Sequence, residues 1–158
     1  IIEKFSINSF LTGIIVSVEG LGAFIGGVII SAFPPKRKQI LFCLTLLLLF
    51  LFISLIAISN NVFLLTFLLF FAGIVTSSYS ALQSSIIYLY STPSLRSSTF
   101  SLLTIAIGSG SIGTLNISMM SNNFSTQELT FIMGLEGIGF FMLITFFLIM
   151  KYKIIRMI

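Results

Sequence analysis

Five stretches of about twenty or more residues, each nearly free of charge, occupy most of this chain. A helix needs about 20 mostly apolar residues to cross a bilayer core about 30 Å thick. The stretches fall at residues 10–33, 39–58, 62–90, 97–119 and 129–150. Pro34-Pro35 closes the first, because proline cannot continue a helix. Ser59-Asn60-Asn61 closes the second, Pro93 follows the third, and Ser121-Asn122-Asn123 opens the loop after the fourth. Only 8% of the residues are charged, against about 25% in soluble domains, and that excludes a soluble fold. The fold class expected is an all-α polytopic membrane protein, a single membrane domain of five transmembrane helices.

The few charges orient these spans. Lys36, Arg37 and Lys38 lie between the first and second, Arg96 between the third and fourth, and Lys151, Lys153 and Arg156 after the fifth. Five alternating spans put all three places on one side. The other side holds Lys4 with Glu3 and Glu128. Basic residues collect on the cytoplasmic side, so the chain is expected in the cell membrane with its carboxy-terminus cytoplasmic. Short basic clusters between apolar spans serve topology and contact anionic lipid; they do not point to nucleic acid. The chain begins at Ile1 rather than Met, and reads as a fragment whose beginning lies upstream.

The spans differ in kind. The second is made almost wholly of large apolar residues, as is the inner half of the fifth, and such surfaces suit lipid. The first carries Gly13, Gly20, Gly22, Gly26 and Gly27, and the fourth Gly108, Gly110 and Gly113. Small residues let helix backbones approach closely, and Gly22 to Gly26 has the four-residue spacing of that motif. Helices one, three and four are therefore expected to pack inward or to line a cavity, with Gly22, Gly26, Gly108, Gly110 and Gly113 as packing residues, and helices two and five to face lipid.

The chain has no His and no Asp, one cysteine (Cys43) and four Glu. Metal ligation and the usual hydrolytic constellations have too few residues to draw on; no metal, no cofactor and no enzymatic activity are expected. Glu19 stands more than two turns inside the first span. A charge near the bilayer centre costs on the order of 2.5–3.5 kcal/mol, so such a group faces the bundle interior or water. Helical spacing sets it on the same face as Gly22, Ala23 and Gly26, as a candidate for proton coupling or as a bridge between helices. Glu136 repeats its local pattern but lies about two turns from a helix end, where a long side chain snorkels toward the interface. Thr76, Tyr79, Ser80 and Gln83 share one face of the third helix. Tyr79, Gln83 and, on the fourth helix, Asn116 are candidate cavity residues, unless they serve hydrogen bonds between helices.

These residues resemble the carboxy-terminal half of a major facilitator superfamily transporter, in particular its bacterial drug-efflux-like branch. Gly20-x-Gly22-x-x-x-Gly26-Gly27, running into a short basic loop, looks like that family's eighth helix. Ser80-Ala81-Leu82-Gln83, then Thr92-Pro93-Ser94-Leu95-Arg96, then Phe100-Ser101-Leu102 looks like the end of the tenth, the loop with its proline and arginine, and the start of the eleventh. Gly108, Gly110 and Gly113 look like the glycine pattern of the eleventh. Ser97 stands where the family commonly has a glycine after the arginine, and the basic loop lacks the family's acidic residue. The resemblance covers nearly the whole chain. It implies helices eight to twelve of a secondary transporter, Pro93 and Arg96 as loop or gating residues, and an amino-terminal half as partner. It also implies a small-molecule substrate, moved by alternating access and exported in exchange for protons. The other reading of the residues is a structural or assembly subunit of a membrane complex with no transport path of its own.

Overall fold

The computed structural model describes residues 8–155, excepting the side chains at 148, 149 and 151–155. Glu3, Lys4 and Arg156, and the Lys151 and Lys153 side chains, to all of which the charge reading appealed, lie outside the described residues. The described residues form helices joined by turns: α1 (Ser9–Ala32), α2 (Lys38–Ile58), α3 (Val62–Tyr90), α4 (Arg96–Gly108), α5 (Gly110–Met120) and α6 (Thr126–Ile155). Counting α4 and α5 as one span, five helices are long and apolar enough to cross a membrane, which marks a multi-pass membrane protein.

The helix starts are specified locally. The Asn8 Oδ1 accepts from Leu11 N at 2.9 Å and the Asn61 Oδ1 from Phe63 N at 2.9 Å, each satisfying a backbone donor at a helix start. At α6 the Ser125 Oγ accepts from Glu128 N, and the Glu128 carboxylate accepts from Ser125 N at 2.8 Å, a reciprocal capping box. Glu128 is thereby occupied as a cap.

The expected fourth span at 97–119 is not one helix. It breaks at Ser109, between Gly108 and Gly110. Ser109 Oγ donates back to the Ala106 carbonyl at 2.6 Å, and Ile112 N reaches only three residues back, to Ser109. Glycine is about 1 kcal/mol worse than alanine in a helix, and kinks concentrate at such Gly/Ser positions. Replacing Gly108 and Gly110 together by alanine is expected to join α4 to α5 and to raise the thermal stability of the protein in detergent.

Four helices stand in a row in the order α1, α3, α2, α6. α1 and α3 run parallel: Gly22 lies on the Phe70 backbone, Gly26 on that of Ile74, and Gly73 on that of Glu19 and Ala23. A methyl group at any of these three would collide with backbone, so the glycines set the separation. α2 runs antiparallel to α3, with the Phe42 and Tyr79 rings stacked at 5.0 Å near one end and Phe52 and Phe71 at 6.3 Å farther along. Ile56, Leu65, Leu68 and Ala72 form the buried core of this contact. α6 lies against the far side of α2, where Gly134 takes Ser54 and Gly137 takes the Phe50 ring.

The arrangement adds to the expected sorting of the helices: α2 sits between α3 and α6 and packs against both, while Ile40, Leu44 and Leu51 on α2 and Phe140, Leu143 and Phe147 on α6 stay exposed. No residue of α4 or α5 is buried, and Gly108, Gly110 and Gly113 meet nothing within 4 Å. Among the described residues these small-residue faces are open rather than packed inward, which leaves the cavity-lining alternative standing.

Candidate functional site

The polar residues singled out from the sequence fall in three places. The first is the end of the row where α2 begins and α3 finishes. Tyr79 stacks on Phe42 of α2, and Gln83 Nε2 donates to Tyr79 Oη at 3.3 Å. Both residues are half-buried, whereas Thr76 and Ser80 are exposed. The single polar face predicted for α3 is thus divided between a helix contact and an open side. One turn nearer the end, Lys38 Nζ donates to Ser85 Oγ at 2.7 Å, and Gln39 Nε2 to Tyr90 Oη. The turn beyond α3 is built on the Thr92 carbonyl, which accepts from Leu95 N at 3.0 Å and Arg96 N at 3.1 Å. Pro93 takes the position just after Thr92, where its fixed φ favours a turn. The Arg96 guanidinium carbon lies 3.9 Å from the centre of the Tyr88 ring, and the Arg96 Nε is buried without an acceptor. Arg96 therefore holds the start of α4 to the end of α3 through its cationic face.

The second place is Glu19. It is half-buried on α1, beside the backbone on which Gly73 of α3 rests. No other described residue supplies a hydrogen bond to its carboxylate. The close approach of α1 and α3 brings the Glu19 backbone against Gly73.

The third place is a cleft between α5 and α6, about 200 Å³ in volume. Asn116 and Glu136 both line it, on walls otherwise supplied by residues such as Ile117, Met120, Met133 and Phe140. Sequence reasoning sent Glu136 toward the interface and left Asn116 alone. That both line one cleft depends on how the turn from α5 into α6 is made, and no local spacing reports that. A separate cleft of about 280 Å³ between α2 and α6 has walls of Phe42, Leu46, Phe50, Phe141 and Ile144, with Cys43 and Thr145 the only side chains there bearing a heteroatom; it suits hydrocarbon.

The structure does not bring Glu19, Tyr79, Gln83 and Asn116 into one cavity. Glu19 belongs to α1 at one end of the row, and Asn116 to the α5–α6 cleft beyond the other. Most hydroxyls nearby are occupied by their own helices: Ser101 donates to the Ser97 carbonyl, Thr104 to Phe100 and Thr114 to Ser111. Among the described residues no three His, Cys, Asp or Glu side chains come together as metal ligands. Comparison with family models, curated proteins and solved structures finds no match for this chain.

Proposed function

We propose that this chain is part of a secondary active transporter that exports small, lipophilic compounds in exchange for protons by alternating access. The observation that carries this reading is the span formed by α4 and α5. It crosses the membrane by length and composition, yet none of it is buried and it breaks at Ser109. It also carries Asn116, Thr104, Ser111, Thr114 and Ser118. Thr104 and Thr114 are satisfied by their own helix, but hydrocarbon offers the Asn116 carboxamide no partner, and non-helical backbone at membrane depth occurs where it is covered by protein or lines a watery cavity. Transporters place their substrate sites at such interrupted helices near the midplane. The α5–α6 cleft gives that span a mostly apolar wall with one carboxylate and one carboxamide. Glu19, without a hydrogen-bonding partner among the described residues, is the acid proposed to carry the proton. The resemblance to the major facilitator superfamily supports the same reading, with the basic end of the row in the cytoplasm.

Cells expressing the protein are expected to extrude a lipophilic fluorescent dye, and a protonophore is expected to abolish that extrusion. Dye retention equal to that of cells without the protein, despite full membrane insertion, contradicts the proposal. The second reading, an assembly subunit, draws on the same open span: Gly108, Gly110 and Gly113 suit close approach of another membrane helix. It predicts co-purification of a second membrane protein and no dye movement.

A further inference from the structure

We propose that the end of the row where α1 turns into α2 binds one anionic phospholipid, its phosphate held by Lys38, Ser85 and Ser31 and an acyl chain laid along the groove between α1 and α3. This needs only that the helices span a membrane and stands apart from the transport reading.

A cavity of about 240 Å³ opens there. Ile30, Pro35 and Leu82 make its apolar walls, while Lys38, Ser31 and Ser85 supply an ammonium and two hydroxyls. The ammonium is positioned, because Lys38 Nζ is tethered to Ser85 Oγ at 2.7 Å. Lys36 and Arg37 stand exposed beside it in the preceding turn. The described carboxylates lie elsewhere: Glu128 caps α6 at the opposite end, Glu136 lines the α5–α6 cleft, and Glu19 sits at the α1–α3 seam. Three cations side by side with no carboxylate among them favour an anion, and a phosphodiester matches ammonium and hydroxyl donors together.

What makes the ligand a lipid rather than free phosphate is the second cavity. An open groove runs along α1 past Ala23, Phe24, Gly27 and Val28 to Ser31 and Ala32, with Ser77 of α3 beside it. Ser31 lines both cavities, so the polar pocket and the apolar groove adjoin at that residue. From Ala23 to Ala32 the groove is about 13 Å long at 1.5 Å per residue, room for most of one acyl chain. Basic pockets between helices at the cytoplasmic interface are general devices for anionic headgroups; here the pocket comes with a track for the tail.

The test is native mass spectrometry of the purified, delipidated protein in detergent, titrated in turn with dioleoylphosphatidylglycerol, dioleoylphosphatidylcholine and inorganic phosphate. Phosphatidylglycerol is expected to bind one to one and at least fivefold tighter than phosphatidylcholine. Phosphate at millimolar concentration is expected not to displace it. Lys38→Gln should lose at least fivefold in phosphatidylglycerol binding and Lys38→Arg should keep it, which separates loss of charge from loss of folding. Ala32→Trp, which obstructs the groove, should weaken the lipid as well. Equal binding of the two lipids, unchanged binding by Lys38→Gln, loss in Lys38→Arg as large as in Lys38→Gln, or displacement by phosphate alone overturns the assignment.

Discussion

Gly26→Leu is expected to force α1 away from α3 and to leave a protein that inserts poorly or aggregates on extraction. The cause lies in the seam itself. A side chain at Gly26 runs into the Ile74 backbone, and one at Gly22 into that of Phe70. Backbone in a packed helix cannot swing aside as a side-chain end can. Overpacking of this kind costs about 1–3 kcal/mol for modest insertions, and a leucine with no space at all lies at the upper end. Gly20→Leu is the matched control: nothing lies within 4 Å of the position its Cβ would take, so the same change six residues earlier should be tolerated. Thermal unfolding in detergent, read by size-exclusion fluorescence, distinguishes the two. Equal stability of both variants would mean that α1 and α3 do not meet at these glycines.

Glu19→Gln is expected to flatten the pH dependence of dye export while leaving the amount of folded protein unchanged. An acid at membrane depth with no hydrogen-bonding partner among the described residues gains nothing structural from its charge there, and carrying that charge costs on the order of 2.5–3.5 kcal/mol. The neutral, nearly isosteric amide therefore fits the same place without loss of stability. What it cannot do is take up and release a proton. Glu136→Gln should behave differently, weakening apparent dye affinity in the α5–α6 cleft while the pH profile keeps its shape. A normal pH profile in Glu19→Gln removes Glu19 from proton coupling. A flat profile in Glu136→Gln moves that role to the cleft.

The five spans were legible because each exceeds the bilayer's length requirement in almost pure apolar residues, with Pro34-Pro35, Asn61 and Pro93 punctuating them. Gly22 and Gly26 were legible through their four-residue spacing, and both do meet α3. Which partner each helix takes was less visible. α2 is apolar all round, so it has no stripe to say which face is covered, and its contact with Gly134 and Gly137 of α6 leaves no periodic trace. The break at Ser109 was readable in principle from Gly-Ser-Gly, but the same glycines also fit a packing motif, and composition does not separate the two uses. That Asn116 and Glu136 line one cleft is a product of the turn between α5 and α6. Residues twenty positions apart share its lining through geometry that local sequence does not encode.

Whether the open face of α4 and α5 is wet decides between a transport path and a dry contact. With Cys43 replaced by serine, single cysteines at Thr104, Asn116 and Leu143 can be exposed to a membrane-impermeant, water-soluble thiol reagent. Leu143, exposed on the apolar surface of α6, is the lipid control. Rapid modification at Thr104 and Asn116, slowed by the exported dye, with Leu143 inert, is the result predicted for a water-lined transport cavity. Cysteines at Thr104 and Asn116 as unreactive as that at Leu143 would contradict it.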